Sequence, residues 1–397
     1  MSLAFGADRL AADPTLHPRA RRVALTTSDA ARSARDAGLR TRALLLEAGI
    51  PIVRLFSPEH GLQARARDGE SVRDARDPLT GLPVVSLYGE RFAPDPESLR
   101  DLDAVLFDLP DVGARPYTFA WTLTHLIDAC AAARIPLVVL DRPNPLGGAL
   151  ASVEGPLLEP AYCSFLGRHS LPLRHALTLG ELARLWQRER RPAADVRVVP
   201  CGDWKRDLLW PAIGLPWTPP SPGLPTFDAA LLYPGLVLFE GTNLSVGRGT
   251  SLSFQAVGAP WLDATAVIAR MEERVLPGIA LELAQFTPGT GPHAGTPCNA
   301  VAVYALDPAE VRPVSAGIAL LADVAAVHPR ELRWATYPTA ANPTGEGHFE
   351  RLAGTMGARI AVERAMTSPD AVTPAVLARL TASPGWAERW QAARIYQ

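Results

Sequence analysis

Ile50-Pro51-Ile52-Val53-Arg54-Leu55 runs directly into Phe56-Ser57-Pro58-Glu59-His60-Gly61. The first six residues read as a strand. Pro58 fixes its own φ and Gly61 permits φ above zero, so the chain turns sharply where the strand ends. In an open α/β sheet, ligands bind in the crevice just beyond the carboxyl ends of the strands. Glu59 and His60 therefore stand where chemistry is expected, although a single Glu in such a turn is as often an ordinary solvated loop residue.

Outward from this stretch, strand and helix alternate. Arg22-Val23-Ala24-Leu25-Thr26-Thr27 reads as a strand, and Ser28 as the N-cap of a helix from Asp29 to Glu47 that Gly49 and Pro51 end. Further strand-like runs are Ile52 to Phe56, Val84 to Tyr88, Ala104 to Leu109, Pro136 to Leu140 and Val196 to Val199, with helices expected at Thr118 to Ala133 and Gly180 to Glu189. Thr178-Leu179-Gly180-Glu181 matches a capping box, which gives Glu181 a structural role. Such alternation predicts an α/β fold: a Rossmann-like, mostly parallel sheet with helices on both faces. The turn after the first strand, Thr26-Thr27-Ser28-Asp29, lacks Gly-x-Gly-x-x-Gly, and there is no Walker A pattern, so no nucleotide cofactor is expected.

The segment Trp217-Thr218-Pro219-Pro220-Ser221-Pro222-Gly223-Leu224-Pro225-Thr226 is too rich in proline for a helix or a central strand. It sets an expected domain boundary near Pro225: a Rossmann-like catalytic domain over 20–225 and a smaller α+β domain over 226–397 that completes a cleft. The second part offers an apolar run at Leu236 to Glu240, a glycine-rich loop at Gly241 to Thr250 and a helix at Ala264 to Val275. Short apolar runs follow at Ala300 to Tyr304 and Arg333 to Thr336, with helices near Val311 to Val327 and Thr373 to Leu380.

With 397 residues, 48% hydrophobic and 20% charged, the composition is that of a globular enzyme, and a net charge of −2 argues against a nucleic-acid partner. Cys130, Cys163, Cys201 and Cys298 are widely spaced and indicate neither a zinc site nor a disulfide framework. Met1 to Pro18 has no signal-peptide core, and no run approaches the ~18–20 apolar residues of a membrane span. A cytoplasmic location is expected, or a periplasmic or secreted one if a leader has been removed. Nothing in the sequence fixes an oligomeric state.

Several strand ends carry polar clusters. Asp108 leads into Asp111-Val112-Gly113-Ala114-Arg115-Pro116-Tyr117-Thr118, and Asp141 leads into Arg142-Pro143-Asn144-Pro145-Leu146-Gly147-Gly148, with Glu154 soon after. Each alone has a bland explanation, since Asp and Asn stabilise turns; three strand ends with Glu59 suggest one convergent polar cleft. In the second part, Glu240 precedes a glycine loop that holds Asn243 and Arg248, and a guanidinium suits a substrate carboxylate. His175 is a candidate to line the site, whereas His17, His125 and His328 have no partners by spacing. Glu59-His60 lacks the i, i+4 histidine pair of a zincin, so no metal is expected, and no Gly-x-Ser-x-Gly elbow occurs.

The ordered motifs FSPEHGL, TGLPVVSLYG, FDLPDVGARPYTF, DRPNPLGG with VEGP, PPSPGLPT and YPGLVLFEGTNLSVGRGT resemble the NamZ-type exo-β-N-acetylmuramidase family, once a domain of unknown function. The tail Phe349-Glu350-Arg351-Leu352-Ala353-Gly354-Thr355 is similar too, and the likeness runs from about Val23 to Tyr396. It implies a glycoside hydrolase that releases terminal N-acetylmuramic acid from the non-reducing ends of peptidoglycan fragments, a muropeptide or related glycan being the partner. Glycosidic cleavage needs a carboxylic acid to protonate the leaving oxygen, and Glu59, between apolar flanks, is the choice for it, tuned by His60. Asp111, Glu154 or Glu240 is left as base or nucleophile, with the substrate's own 2-acetamido group as the alternative. Arg115 and Arg248 are candidates for the lactyl carboxylate, and Tyr117 and Trp217 for stacking on the sugar; Asn144, His175 and Asn243 complete the expected binding set. The chain departs from the family at Pro110, Ala176, Gly223 and Val246, where Gln, Gly, Asn and Glu are usual.

Overall fold

The computed structural model of the chain describes residues 3–16, 20–274 and 276–397. His17 and the expected helix end at Val275 lie outside the described residues. Seven strands form the larger sheet: β1 (Val23–Thr26), β2 (Ile52–Ser57), β3 (Ala75–Arg76), β4 (Pro83–Ser86), β5 (Ala104–Phe107), β6 (Leu137–Leu140) and β7 (Val196–Val199). Their order is β3-β4-β2-β1-β5-β6-β7, all parallel except the β3–β4 pair. The central strands β1, β5 and β6 are buried along their whole length, as continuous apolar runs in a parallel sheet must be when helices cover both faces. The helices Phe119–Ala133 and Leu179–Arg190 supply that cover on one face, and Thr178 and Glu181 close the expected capping box reciprocally.

A smaller antiparallel sheet follows, β8 (Ala256–Ala259), β9 (Ile279–Phe286) and β10 (Cys298–Ala305), in the order β8-β10-β9. The helices Ala264–Glu272 and Pro313–Val327 pack with it. One apolar cluster runs from β5 and the helix Phe119–Ala133 through the helix Pro313–Val327 to Trp386 and Trp390, so the two sheets share a continuous core. None of the described helices is long and apolar enough to cross a membrane.

Three local expectations are corrected. The helix expected from Asp29 to Glu47 is helical only over Thr41–Glu47. Upstream, Ser33 Oγ accepts the amides of Arg35 and Asp36, Asp36 Oδ1 accepts that of Gly38, and Asp29 pairs with Arg40 and Arg42. Short polar side chains here bond the backbone themselves and hold it in turns. The apolar run at Leu236 to Glu240 is wound as 3₁₀ turns (Val237–Gly241) on the end of the helix Phe227–Leu236. Arg333 to Thr336 forms only an isolated bridge, from Trp334 to Thr242.

The last helix, Trp386–Ala393, returns to pack on the helix Leu179–Arg190 that covers the larger sheet. The indoles of Trp386 and Trp390 donate to the carbonyls of His175 and Ala176, and the Tyr396 hydroxyl donates to Asp141 Oδ2 at 2.5 Å. Asp141 also accepts from the Thr178 hydroxyl at 2.6 Å and the Gly180 amide at 2.8 Å. Burial outweighs these donors and pushes its carboxyl up to about 6. A carboxyl raised in the folded state favours folding below its unfolded pKa of about 4, and that contribution is lost as pH rises through the folded value. Relative to Asp141→Asn, the wild type is therefore expected to lose on the order of 2–3 kcal/mol between pH 4 and 7. Denaturant titrations of both proteins at the two pH values test this; an unchanged gap contradicts it.

Candidate active site

The chain leaves β2 through Pro58 and places Glu59 and His60, both buried, in a cleft lined from both parts of the chain. The cleft spans about 770 Å³ when its open mouth is included. Glu59 is held at both oxygens: Oε1 accepts the Gly69 amide at 2.8 Å, and Oε2 accepts the Thr118 hydroxyl at 2.6 Å. The Gly69 donor is fixed, but the Thr118 hydroxyl can rotate, donating to a carboxylate or accepting from a carboxylic acid. Oε2 can thus load and release a proton without moving.

His60 has φ of +69°, unusual for a residue with a Cβ and a strain of the kind found at functional sites. Its Nδ1 lies 2.9 Å from the Ala66 carbonyl. A carbonyl only accepts, so Nδ1 carries a proton and donates it, which leaves Nε2 as the ring nitrogen without that partner. Above it, Tyr88 is driven further toward its protonated form by burial and by the charge of Glu59, which keeps the phenol a donor.

The second part contributes the opposite wall. Arg248 places Nε 2.5 Å from Glu240 Oε1 and Nη1 3.0 Å from Asp68 Oδ1. Its guanidinium lies 4.8 Å over the Phe254 ring. Burial pushes Glu240 up despite Arg248, whereas the attraction of Arg248 and the Tyr337 hydroxyl bond outweigh burial at Asp68 and hold it down. One cation thus stands between two carboxylates displaced in opposite directions, the arrangement by which active sites divide acid and base roles. Gly223 lies against it: a Cβ there would lie 2.7 Å from Arg248 Nη1, so a side chain at this position requires the guanidinium to shift. Tyr117, Tyr233 and Phe254 stack edge to face along the same wall.

Among the expected residues, Glu59, His60, Tyr117, Glu240 and Arg248 share this cleft. The others lie elsewhere. Arg115, fully buried, donates to the carbonyls of Pro156, Leu171 and Leu352 and ties loops of the first part to the helix His348–Ala353. Glu154 accepts the amides of Val314 and Ser315 and caps the helix Pro313–Val327. Asn144 bridges Leu177 and Leu146, and Asn243 bridges Glu331 and Arg333. His175 accepts the Leu177 amide at Nδ1 and turns Nε2 toward Asp111 Oδ2 at 3.4 Å. Asp111 and Trp217 line a different cavity. The strand-end acids are likewise separated: Asp108 is locked to Arg142, and Asp141 sits in the core.

Asp68, Tyr88, Thr118, Tyr337, His348 and Arg351 line the cleft without having been singled out as site residues. Tyr88, Thr118 and Arg351 stand in or beside the quoted motifs, which was the available signal. Asp68 and Tyr337 come from irregular loops that meet only in the folded chain. Burial lowers His348 to about 4, so its ring, stacked 4.6 Å from Tyr337, is neutral. No cluster that could hold a metal occurs among the described residues.

Comparison with known proteins agrees with this architecture. Residues 23–228 match the N-terminal domain of the exo-β-N-acetylmuramidase NamZ, and residues 231–396 match its C-terminal domain. The chain belongs to the NamZ family. It is 38% identical over 314 residues to the peptidoglycan β-N-acetylmuramidase NamZ of Bacillus subtilis, covering 79% of this chain and 73% of that protein. Two crystal structures of DUF1343-family proteins from Bacteroides fragilis superpose over 100% of the chain and 99% of theirs, with TM-scores of 0.83 and 0.71 at 26% and 27% identity. As a NamZ-family member, the chain is a glycoside hydrolase of mixed α/β fold. Of the four departures from the family pattern, Val246 is buried in the shared core and Ala176 holds φ of +55° where glycine is usual.

Proposed function

We propose that the chain removes terminal N-acetylmuramic acid from the non-reducing ends of peptidoglycan fragments, with Glu59 as the general acid. The observation that carries this reading is that one aromatic-walled cleft joins Glu59 to two arginines in different electrostatic states. Arg248 is already neutralised by Glu240 and Asp68, so a third carboxylate gains little there. Arg351 lines the cleft and has no carboxylate partner among the described residues. It takes the lactyl carboxylate, which N-acetylmuramic acid carries and N-acetylglucosamine lacks.

In this mechanism the sugar lies against Tyr117 and Tyr233. Glu59 Oε2 gives its proton to the glycosidic oxygen as that bond breaks, and the Thr118 hydroxyl rotates to donate to the new carboxylate. A water then adds to the anomeric carbon and gives a proton back to Glu59, which closes the cleavage, with His60 beside it in the cleft. Glu240 and Asp68 supply negative charge on the side where positive charge develops on the ring. Four free cysteines suit a reducing compartment, which favours the cytoplasm as the place of action.

The test is release of free N-acetylmuramic acid from a muramide-terminated disaccharide and from an aryl muramide, with the matching glucosaminides alongside. Wild type should release muramic acid only. Arg351→Ala should raise KM for muramides by about 10- to 100-fold, the worth of a charged hydrogen bond, and leave any slow glucosaminide cleavage unchanged. Release of N-acetylglucosamine at the same rate as muramic acid would overturn the specificity.

A further inference from the structure

The sheet reverses its winding between β1 and β5: the chain proceeds from β1 outward through β2 to β4, then returns to β5 and proceeds the other way to β6 and β7. Doubly wound sheets bind ligands at this switch point. The hydrolytic cleft is not there, because it is built on the ends of β2 and β4 and on the helix that follows β5. A second cavity, about 540 Å³ when its open mouth is included, occupies the switch point, lined by Arg32 after β1, Asp111 after β5 and Arg142 after β6. The two cavities have no lining residue in common. The proline-rich strap separates them, with Trp217, Thr218 and Pro220 on the second cavity and Ser221, Gly223 and Leu224 on the cleft.

The wall of the second cavity is aromatic. The Trp210 and Trp217 rings meet at 89° with centroids 5.7 Å apart, and Phe5 lies 6.4 Å from Trp210. Its polar groups are incompletely satisfied. Asp111 is 7% exposed; Oδ2 accepts the Gly113 amide at 3.0 Å, while Oδ1 is buried with no partner among the described residues. An unbonded buried carboxylate oxygen is costly, and such exceptions ask for an explanation. Arg142 is neutralised by Asp108 and stacks 4.7 Å over Phe5. Arg32 gives Nε and Nη1 to backbone carbonyls and has no acid partner among the described residues.

We propose that this cavity is a second binding site, for a neutral sugar-sized ring bearing hydroxyl or amide groups. The lining discriminates among ligand classes. A cation meets Arg32 and Arg142, and an anion meets Asp111. Phosphate has no glycine cradle, since the turn after β1 is Thr27-Ser28-Asp29-Ala30. A hydroxyl donates and accepts at once, so a polyol ring satisfies Asp111 Oδ1 and the arginine edges together while its C–H face lies on an indole. The site stands whether or not the cleft is hydrolytic.

The test is calorimetric titration of the full chain with N-acetylglucosamine, with adenosine and glycerol in parallel. Binding is expected for the sugar and should persist in Glu59→Gln, which alters only the cleft. It should weaken by about tenfold or more in Asp111→Asn, which keeps the shape but replaces a charged acceptor. It should be lost in Ala37→Phe, which fills the cavity from a partly exposed loop position. Circular dichroism establishes that both variants fold, and Ala37→Phe decides alone if Asp111→Asn does not. The proposal is overturned if the sugar does not bind at tens of millimolar, if only cleft substitutions abolish binding, or if adenosine binds there in preference.

Discussion

Replacing Glu59 with glutamine is expected to lower kcat on a muramide-terminated disaccharide by about 10²- to 10⁴-fold, the contribution of a positioned proton donor. KM should change by less than about threefold, because the interaction removed is made only in the transition state. Glutamine conserves the site: its carbonyl accepts the Gly69 amide, and its NH₂ donates to a rotated Thr118 hydroxyl. What it cannot do is deliver a proton. The decisive readout is therefore the leaving group. A nitrophenolate departs without protonation, so the loss on an aryl muramide should be smaller than on the disaccharide by about tenfold or more. An equal loss on both would make Glu59 a base, a nucleophile or a scaffold, and an unchanged rate would remove it from the chemistry.

Strand–helix alternation made the parallel sheet legible, because continuous Val/Leu runs separated by helices have few other solutions. Glu59, His60, Tyr117, Glu240 and Arg248, which meet in the cleft, each stand next to a glycine or a proline in the sequence. Asn144, Glu154 and Asn243, equally expected at the site, bond the chain's own backbone instead. Buried backbone groups must find partners, and Asp, Asn and Glu at strand ends supply them with the residue types that also bind ligands. Composition cannot tell which service a given side chain performs. Asp68 and Tyr337 escaped for the opposite reason: nothing around them in sequence is periodic, and 269 positions separate two residues that are hydrogen-bonded in the fold. The helix Phe227–Leu236 is buried at every position but Asp228 and contains Pro234, so it shows no helical periodicity. Strand β9, rich in Ala, Leu and Glu, carries helix-forming residues on an exposed edge.

Arg248→Met is expected to cost stability as well as activity. Methionine leaves an apolar side chain at this position but removes the guanidinium that lies 4.8 Å over the Phe254 ring, so both the charge and that contact are lost. Breaking a buried ion pair costs about 3–5 kcal/mol, because the remaining charge is left uncompensated. Here two carboxylates lose one cation, but the Asp68 side chain is 26% exposed and water recovers part of its loss, which argues for about 3 kcal/mol. The pH dependence separates charge from packing. Asp68 is held low in the wild type, so its contribution to stability is present above its unfolded pKa of about 4 and is lost as pH falls through the lower folded value. Without Arg248 that contribution shrinks, and protonation relieves both acids. The stability gap between wild type and variant should therefore narrow as pH falls, beginning above about 4 because Glu240, raised by burial even beside Arg248, is raised further without it, whereas a packing defect would give a gap independent of pH. Activity supplies the second discriminant. If Arg248 only bound the lactyl carboxylate, its loss would raise KM for muramides alone. Because it sets the charges of Glu240 and Asp68, its loss should instead depress kcat on every cleavable glycoside.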